Sequence, residues 1–179
     1  MATTRILCAG FGGQGALLIG KLVAEAGMAE GKFVTWLPSY GPEMRGGTAN
    51  VMVVVSDKPV GSPIFTKMDV LVALNQPSLD KFAKDTKDGG LIITNSDLCG
   101  DPENKDKIKL APVPLTKIAE EIGNVKAANM VGVGALLQLT GCVDRKSVED
   151  YLSHMMKEKN PALLETNMAA IDKGASYVS

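Results

Sequence analysis

The chain is poor in the groups that a self-sufficient enzyme uses for chemistry. It has one histidine, His154, and three cysteines, Cys8, Cys99 and Cys142, far apart and without a C-x-x-C pair. That spacing argues against a structural zinc or an iron–sulfur cluster held by this chain alone. Three reduced thiols, rather than a disulfide framework, is the plain reading. Aromatic residues make up only 4%, so there is no stacking surface for a single nucleic-acid strand. Lys and Arg total 19 against 20 for Asp and Glu, and the net charge of −1 gives no electrostatic case for nucleic acid or an anionic membrane. No apolar run is long enough to span a bilayer. Met1-Ala2-Thr3-Thr4-Arg5 leads straight into a strand pattern without a signal peptide, which puts the expected location in the cytoplasm. There is no Ser/His/Asp set and no pair of carboxylates placed for acid–base work. With 179 residues, 45% of them hydrophobic, the chain is sized for one domain with one sizeable core, residues 1–179 throughout.

What is present begins with Gly10-Phe11-Gly12-Gly13-Gln14-Gly15. It follows the apolar run Arg5-Ile6-Leu7-Cys8-Ala9 and precedes a helical pattern. Strand, glycine turn and helix together let a backbone approach an anion. Glycines permit positive φ and carry no Cβ, while the helix start offers N–H groups without acceptors and a partial positive charge. Gly10, Gly12 and Gly15 fit G-x-G-x-x-G, the dinucleotide fingerprint. The same glycines could serve only to pack the first helix on its strand. A dinucleotide site also wants an acid at the end of the second strand to hold the ribose hydroxyls. Thr35, Trp36 and Leu37 stand there instead, which weakens the NAD reading.

Along the chain, strands are expected at 4–9, 32–37, 49–56, 68–74, 91–94 and 108–114, the last a short edge strand broken by Pro112 and Pro114. Helices are expected at 14–30, ended by Gly31; from a Ser78 cap through Ala83; from Thr116 to Gly123; from Asn129 to Leu139; after an Asp144 cap; and after Asn160-Pro161, a cap followed by proline at the first helical position. Asn129–Leu139 is apolar nearly all round and reads as buried, with Gly132 and Gly134 allowing another backbone close. In the helix after Asp144, Val148, Tyr151, Leu152 and Met155 form the core face, and His154 points to solvent. The last helix carries Leu164, Met168, Ile171 and Ala175 as a stripe for core packing. Residues 95–107 read as a solvated loop. Only a short stretch separates the second and third strands, with no room for a crossover helix, so these two should be antiparallel neighbours. The expected fold class is α/β, a three-layer α/β/α sandwich around a mostly parallel, mixed sheet.

The stretch Pro38-Ser39-Tyr40-Gly41-Pro42-Glu43-Met44-Arg45-Gly46-Gly47 is expected to be neither helix nor regular strand, because two prolines and three glycines interrupt it. Its bland reading is a rigid connection whose Glu43 and Arg45 pair with each other or with water. Together with the glycine turn, Ser56-Asp57, Ser62-Pro63, Ala73-Leu74-Asn75 and Ser78-Leu79-Asp80-Lys81-Phe82, this block resembles the gamma subunit of the 2-oxoacid:ferredoxin oxidoreductases. The 2-oxoglutarate and branched-chain members are the relatives in view, and a similar module occurs within the longer pyruvate enzymes. The wording of the block looks closer to the 2-oxoglutarate type.

The resemblance implies a role within an assembly. Such enzymes decarboxylate a 2-oxoacid on thiamine diphosphate with magnesium, pass electrons through iron–sulfur clusters to ferredoxin, and form an acyl-CoA. Those cofactors would be carried by alpha, beta and delta partners, and this chain would pack beside the active site and help enclose coenzyme A. It would carry no catalytic residue and no metal of its own. The implied cofactor-binding residues are Gly10, Gly12, Gly13, Gln14 and Gly15, with Gln14 a possible side-chain donor to a phosphate. The implied interface is Pro38, Ser39, Tyr40, Gly41, Pro42, Glu43, Met44 and Arg45, where Tyr, Met and Arg are residue types that anchor interfaces. Two other classes compete: a stand-alone NAD(P)-binding oxidoreductase and a phosphate-binding or structural interaction module.

Overall fold

The computed structural model describes residues 2–40, 47–156 and 160–179. Six strands form one sheet in the order β2-β3-β1-β4-β5-β6. They are β1 (Thr3–Phe11), β2 (Phe33–Tyr40), β3 (Thr48–Ser56), β4 (Met68–Ala73), β5 (Thr86–Asn95) and β6 (Lys109–Val113). The helices are α1 (Ala16–Ala29), α2 (Gln76–Phe82), α3 (Leu115–Ile122), α4 (Ala128–Thr140), α5 (Arg145–Met156) and α6 (Pro161–Tyr177). β1 is parallel to β4, β4 to β5 and β5 to β6, whereas β3 is antiparallel to both β1 and β2. The mixed α/β sheet and the antiparallel β2–β3 pair therefore agree with the sequence reading.

The two faces of the sheet are unequally covered. Ile6, Cys8, Val51, Val53, Val55, Val70, Val72 and Ile93 belong to one large core with Ile19 and Leu22 of α1, Leu115 of α3 and the apolar side chains of α4. Behind α4 lies α6, so α4 is covered from both sides. The opposite face presents Leu7, Leu71, Ala73 and Ile92 to a smaller cluster closed by Leu79 and Ala83 at α2. Period-two alternation within continuous apolar strands explains how one sheet feeds both cores.

Close approach is achieved at a few bare positions. Gly20 of α1 lies where a Cβ would come within 2.5 Å of Val51 Cγ1. Gly134 of α4 sits against the Ile171 carbonyl of α6, and Gly174 of α6 sits against the Val131 carbonyl of α4, so the two helices meet backbone to backbone. The close contact is made at Gly134, whereas Gly132 faces the ends of Leu115 and Ile19 at ordinary distance.

Several boundaries depart from the sequence reading. β2 continues through Pro38, Ser39 and Tyr40, which pair with Val51, Asn50 and Ala49. The start of the proline block is therefore strand; β2 is a sheet edge, where a residue without an N–H is tolerated. Gly41–Gly46 lie outside the described residues. Gly10 and Phe11 belong to β1, so the turn itself is shorter than the motif. β5 starts at Thr86, ahead of the strand expected at 91–94, and takes in Asp88, Gly89 and Gly90. The cap of α2 is Asn75, whose side chain accepts from the Ser78 N–H; Ser78 is the capped residue. The 95–107 loop closes with a 3-10 turn at Lys105–Lys107. Gly31, at φ 74°, ends α1 as expected, and Asn160 caps α6 with Pro161 at its start. His154 is exposed.

At the C-terminal end of α1, Glu30 is clamped. Its carboxylate takes Lys32 Nζ at 2.8 Å and the Asp144 N–H at 2.7 Å, tying α1 to the start of α5. Burial raises the pKa of this carboxyl, but the bonds from Lys32 and Asp144 outweigh it, and the net direction is downward from 4.5. A carboxyl held below its unfolded value contributes stability above that value and loses it as pH falls through the folded one.

Two expectations follow from these contacts. Gly134→Ala should cost at least about 2 kcal/mol, since a Cβ there drives two backbones apart. Gly132→Ala in the same helix should stabilise by up to about 1 kcal/mol through helix propensity. Equal melting temperatures for the two variants would contradict the crossing. Glu30→Gln should be less stable than the parent at pH 7, with the difference closing as pH falls below the ordinary carboxylate range; denaturation curves at several pH values measure this.

Candidate functional site

The turn after β1 is held from inside. Gly12 N–H donates to the Gly47 carbonyl at 2.9 Å, and Gln14 N–H to the Phe11 carbonyl at 3.1 Å. Gly13 and Gly15 take φ of 94° and 84°, the left-handed region where glycine is favoured. Gly15 is the N-cap of α1 and its carbonyl accepts from Ile19 N–H at 3.2 Å. The N–H groups of Ala16, Leu17 and Leu18 then have no acceptor within the helix, and the positive end of α1 faces outward there.

Gln14 faces inward. Its Oε1 accepts from Phe11 N–H at 2.7 Å and from Asn75 Nδ2 at 2.8 Å, and its Nε2 donates to the Leu74 carbonyl at 3.4 Å. Asn75 Oδ1 in turn caps α2 through Ser78 N–H at 2.9 Å. The side chain expected to reach for a phosphate is the bracket between the ends of β1 and β4. Gly10, at the end of β1, is bare for packing: a Cβ there would lie 2.9 Å from Gln14 Oε1 and 3.1 Å from Leu74 Cβ.

Gly12, Gly13 and Gly15 open onto a cleft of about 630 Å³. Leu17 and Lys21 of α1 form one wall, Trp36 of β2 another, and Gly47-Thr48-Ala49 the floor beside the turn. Trp36 is 41% exposed, and Lys21 is also exposed. The cleft thus joins an apolar surface to a helix N-terminus and one cation, a combination suited to a ligand with an apolar arm and a phosphate. In the sequence Trp36 stands out only as a residue at the place where a ribose-binding acid would be; its position in the strand that faces α1 is the available signal.

A dinucleotide arrangement does not fit this geometry. In that fold the ribose acid ends the parallel strand next to the first. Here β3 lies between β1 and β2 and runs antiparallel to both. Among the described residues, no group of three or more His, Cys, Asp or Glu is placed to hold a metal ion. Burial pushes the thiols of Cys8 and Cys142 up and that of Cys99 to about 11, so none is a ready nucleophile at neutral pH. No helix among the described residues is long and apolar enough to cross a membrane.

Residues 5–177 match the family described as pyruvate ferredoxin/flavodoxin oxidoreductase. The chain belongs to this family. Ketoisovalerate oxidoreductase subunit VorA of Methanothermobacter marburgensis is 41% identical over 97% of this chain, but over only 36% of its own length. The chain thus spans about a third of that relative. 2-Oxoglutarate synthase subunit KorC of Methanocaldococcus jannaschii is 37% identical, covering 94% of this chain and 90% of KorC. Among solved structures, the keto/oxoacid ferredoxin oxidoreductase gamma subunit of Geobacter sulfurreducens aligns with a TM-score of 0.80 at 30% identity, covering 98% of both chains. The 2-oxoglutarate:ferredoxin oxidoreductase of Magnetococcus marinus, solved with 2-oxoglutarate, coenzyme A and succinyl-CoA, aligns with a TM-score of 0.92 at 26% identity. It covers 99% of this chain and 31% of the longer one. The family membership and gamma-type fold agree with the resemblance read from the sequence.

Gln14→Leu should destabilise the domain by about 1–3 kcal/mol, because the Phe11 N–H loses its acceptor in a part-buried place. Gln14→Glu, which keeps both acceptances, should cost less. Urea denaturation measures both, and a Gln14→Leu variant as stable as the parent would remove Gln14 from its bracket role.

Proposed function

We propose that the chain is the gamma part of a multi-subunit 2-oxoacid:ferredoxin oxidoreductase, where it packs beside the active site and helps enclose coenzyme A. The observation that carries this reading is the end-to-end match to KorC and to the Geobacter gamma subunit. Support for the coenzyme comes from the Magnetococcus enzyme, a similar fold in a protein solved with coenzyme A. The partners would be alpha, beta and delta subunits, with ferredoxin as the acceptor. Thiamine diphosphate, magnesium and iron–sulfur clusters would be carried by those partners, and thiamine diphosphate would supply the decarboxylation chemistry.

The chain's own contribution is binding and shielding. The α1 N-terminus and Lys21 attract a phosphate, while Trp36 and Leu17 cover an apolar arm and exclude water. One helix terminus gives an anion roughly 0.3–1 kcal/mol at an exposed site, so the isolated chain should hold coenzyme A weakly. Pro38–Arg45 is proposed as the face that meets the catalytic subunits: it starts on the edge strand next to the cleft, with Gly41–Arg45 outside the described residues. The substrate preference stays at the level of a 2-oxoacid, because VorA is 41% identical and KorC 37%. A stand-alone NAD(P) enzyme is disfavoured by the strand order and by the absence of an acid at Thr35–Leu37.

In a complex reconstituted with its partners, Lys21→Glu should raise the Michaelis constant for coenzyme A about fivefold or more, the expected scale for reversing one charge at a phosphate. Lys146→Glu, far along the chain on α5, serves as the surface control. Arg45→Ala and Tyr40→Ala should weaken pull-down of the alpha and beta parts without moving the melting curve of the isolated chain. An unchanged constant in Lys21→Glu would count against the cleft as the coenzyme site, and full assembly of both loop variants would leave the block a connector.

A further inference from the structure

At the other end of the sheet from the glycine turn, a cavity of about 540 Å³ opens beside the start of β5. It is lined by Lys67, which precedes β4, by Lys84 in the 3-10 turn after α2, by Lys87 and Asp88 of β5 and by Lys107 before β6. Thr86 and Asn104 complete the wall. The register of β4 and β5 shifts here. Met68 pairs with Thr86 but Val70 with Leu91, so residues 87–90 bulge out of the ladder beside the cavity. Such bulges re-aim side chains and interrupt pairing, and they are frequent next to functional sites.

Two oxygens of this wall are buried and unpartnered. Thr86 is 4% exposed, and its Oγ1 has no hydrogen-bond partner among the described residues. The same holds for Asn104 Oδ1. Asn104 Nδ2 donates to the Ala83 carbonyl at 2.8 Å, which fixes the amide, since the reverse placement would set two acceptors face to face. Thr86 therefore has a proton to give and Asn104 a lone pair to fill. Buried polar atoms left in this state are costly and ask for an explanation. Bulk water does not reach either atom, so the cavity that their residues line is the space from which a partner can come.

The charge points to the kind of partner. Four lysines stand against one carboxylate, Asp88, in the lining, although the chain as a whole carries a net charge of −1. Lys87 is taken by Asp69 at 2.6 Å, and Lys67 by the Lys84 carbonyl at 2.9 Å with Asp85 at 3.6 Å. Lys84 and Lys107 make no ion pair among the described residues. An adjoining cavity of about 390 Å³ shares Lys84, Asn104 and Lys107 but brings in Asp80, Asp101 and Glu103, which confine an anion to the Thr86 side.

We propose that this cavity binds a phosphate group. The Thr86 hydroxyl donates to one phosphate oxygen, Asn104 Oδ1 accepts a proton carried on or beside the phosphate, and Lys84 and Lys107 neutralise its charge. Lysines alone would take phosphate and sulfate alike. A wall with both a donor and an acceptor separates them, because phosphate keeps a proton at neutral pH and sulfate does not. The source is inorganic phosphate or the phosphate ester of a small polyol, whose neighbouring hydroxyl serves Asn104. The proposal is independent of the coenzyme A reading of the cleft. The glycine turn follows the last residues of β1, whereas Thr86 is the first residue of β5, and β1, β4 and β5 run parallel.

The test is a titration of the isotopically labelled full chain with inorganic phosphate at constant ionic strength, followed by nuclear magnetic resonance at the Asn104 side-chain amide and the Thr86 backbone amide. Both should shift saturably with phosphate, and sulfate at equal strength should leave them in place. Phosphate should also raise the melting temperature, because it binds only the folded chain. Thr86→Val, which keeps the shape and removes the hydroxyl, should weaken binding about tenfold, the scale of one hydrogen bond to a charged group. Without phosphate this variant should be at least as stable as the parent, because the lost hydroxyl had no partner; a clear loss of stability would reveal one and overturn the proposal. Lys107→Glu, at an exposed position, should weaken binding by tenfold or more with the fold intact. Lys21→Glu should leave the titration unchanged, which separates this site from the cleft. A parallel titration with glycerol 3-phosphate identifies the source. Tighter binding of the ester makes the ligand a polyol phosphate, and equal or weaker binding makes it inorganic phosphate; either result supports the site. The absence of a saturable shift, an equal response to sulfate, or undiminished affinity in Thr86→Val or Lys107→Glu overturns the proposal.

Discussion

The amide of Gln14 is the point on which the site depends. A single side chain accepts from the end of β1 and from Asn75 beyond β4, and donates to the backbone between them. Without it, two parallel strands whose connections leave on opposite faces would end in an open crevice. The bracket fixes where the turn lies, where α1 begins and, through Asn75, where α2 begins. These are the three elements that decide which N–H groups face outward. The local low dielectric strengthens such a linked set and equally penalises a missing member.

The uneven layers follow from the same arrangement. One face of the sheet receives α1, α3 and α4, with α5 and α6 behind them, and the other is closed mainly by α2. An apolar helix such as α4 can exist only if it is covered on every side, and α6 provides the outer cover through the paired Gly134 and Gly174 contacts. Toward β2 the second face is thinly covered: Phe33 and Leu37, which point the same way along the strand, are 47% and 37% exposed. Apolar side chains at a sheet edge suit a chain that works inside an assembly.

Much of the fold was legible because its signals are local. A strand, a glycine turn and a helix follow one another in sequence, the short link before β3 forces antiparallel pairing, and Asn160-Pro161 marks a helix start. The misreadings came where tertiary position overrides local chemistry. Pro38 breaks strands in general, yet it is accommodated in β2 because that strand is an edge. Ser78 has good cap chemistry, but Asn75 lies one turn earlier and takes the role. Within the site, the glycines were visible as motif. Gln14 looked like a ligand donor, and only the neighbouring ends of β1 and β4, distant in sequence, show that its hydrogen bonds are made inward.

The placement of Trp36 has an optical consequence. It is the only tryptophan of the chain, part-exposed on β2 beside the glycine turn. Nearly all indole fluorescence of the protein therefore originates at the mouth of the cleft. Anything that covers that ring and excludes water from it would shift its emission to shorter wavelength, whether a ligand in the cleft or a neighbouring subunit over the β2 edge. Binding elsewhere would leave the spectrum unchanged. The chain carries its own local dye, and one spectrum taken free and one taken in the assembly would show whether this corner of the molecule is wet or dry.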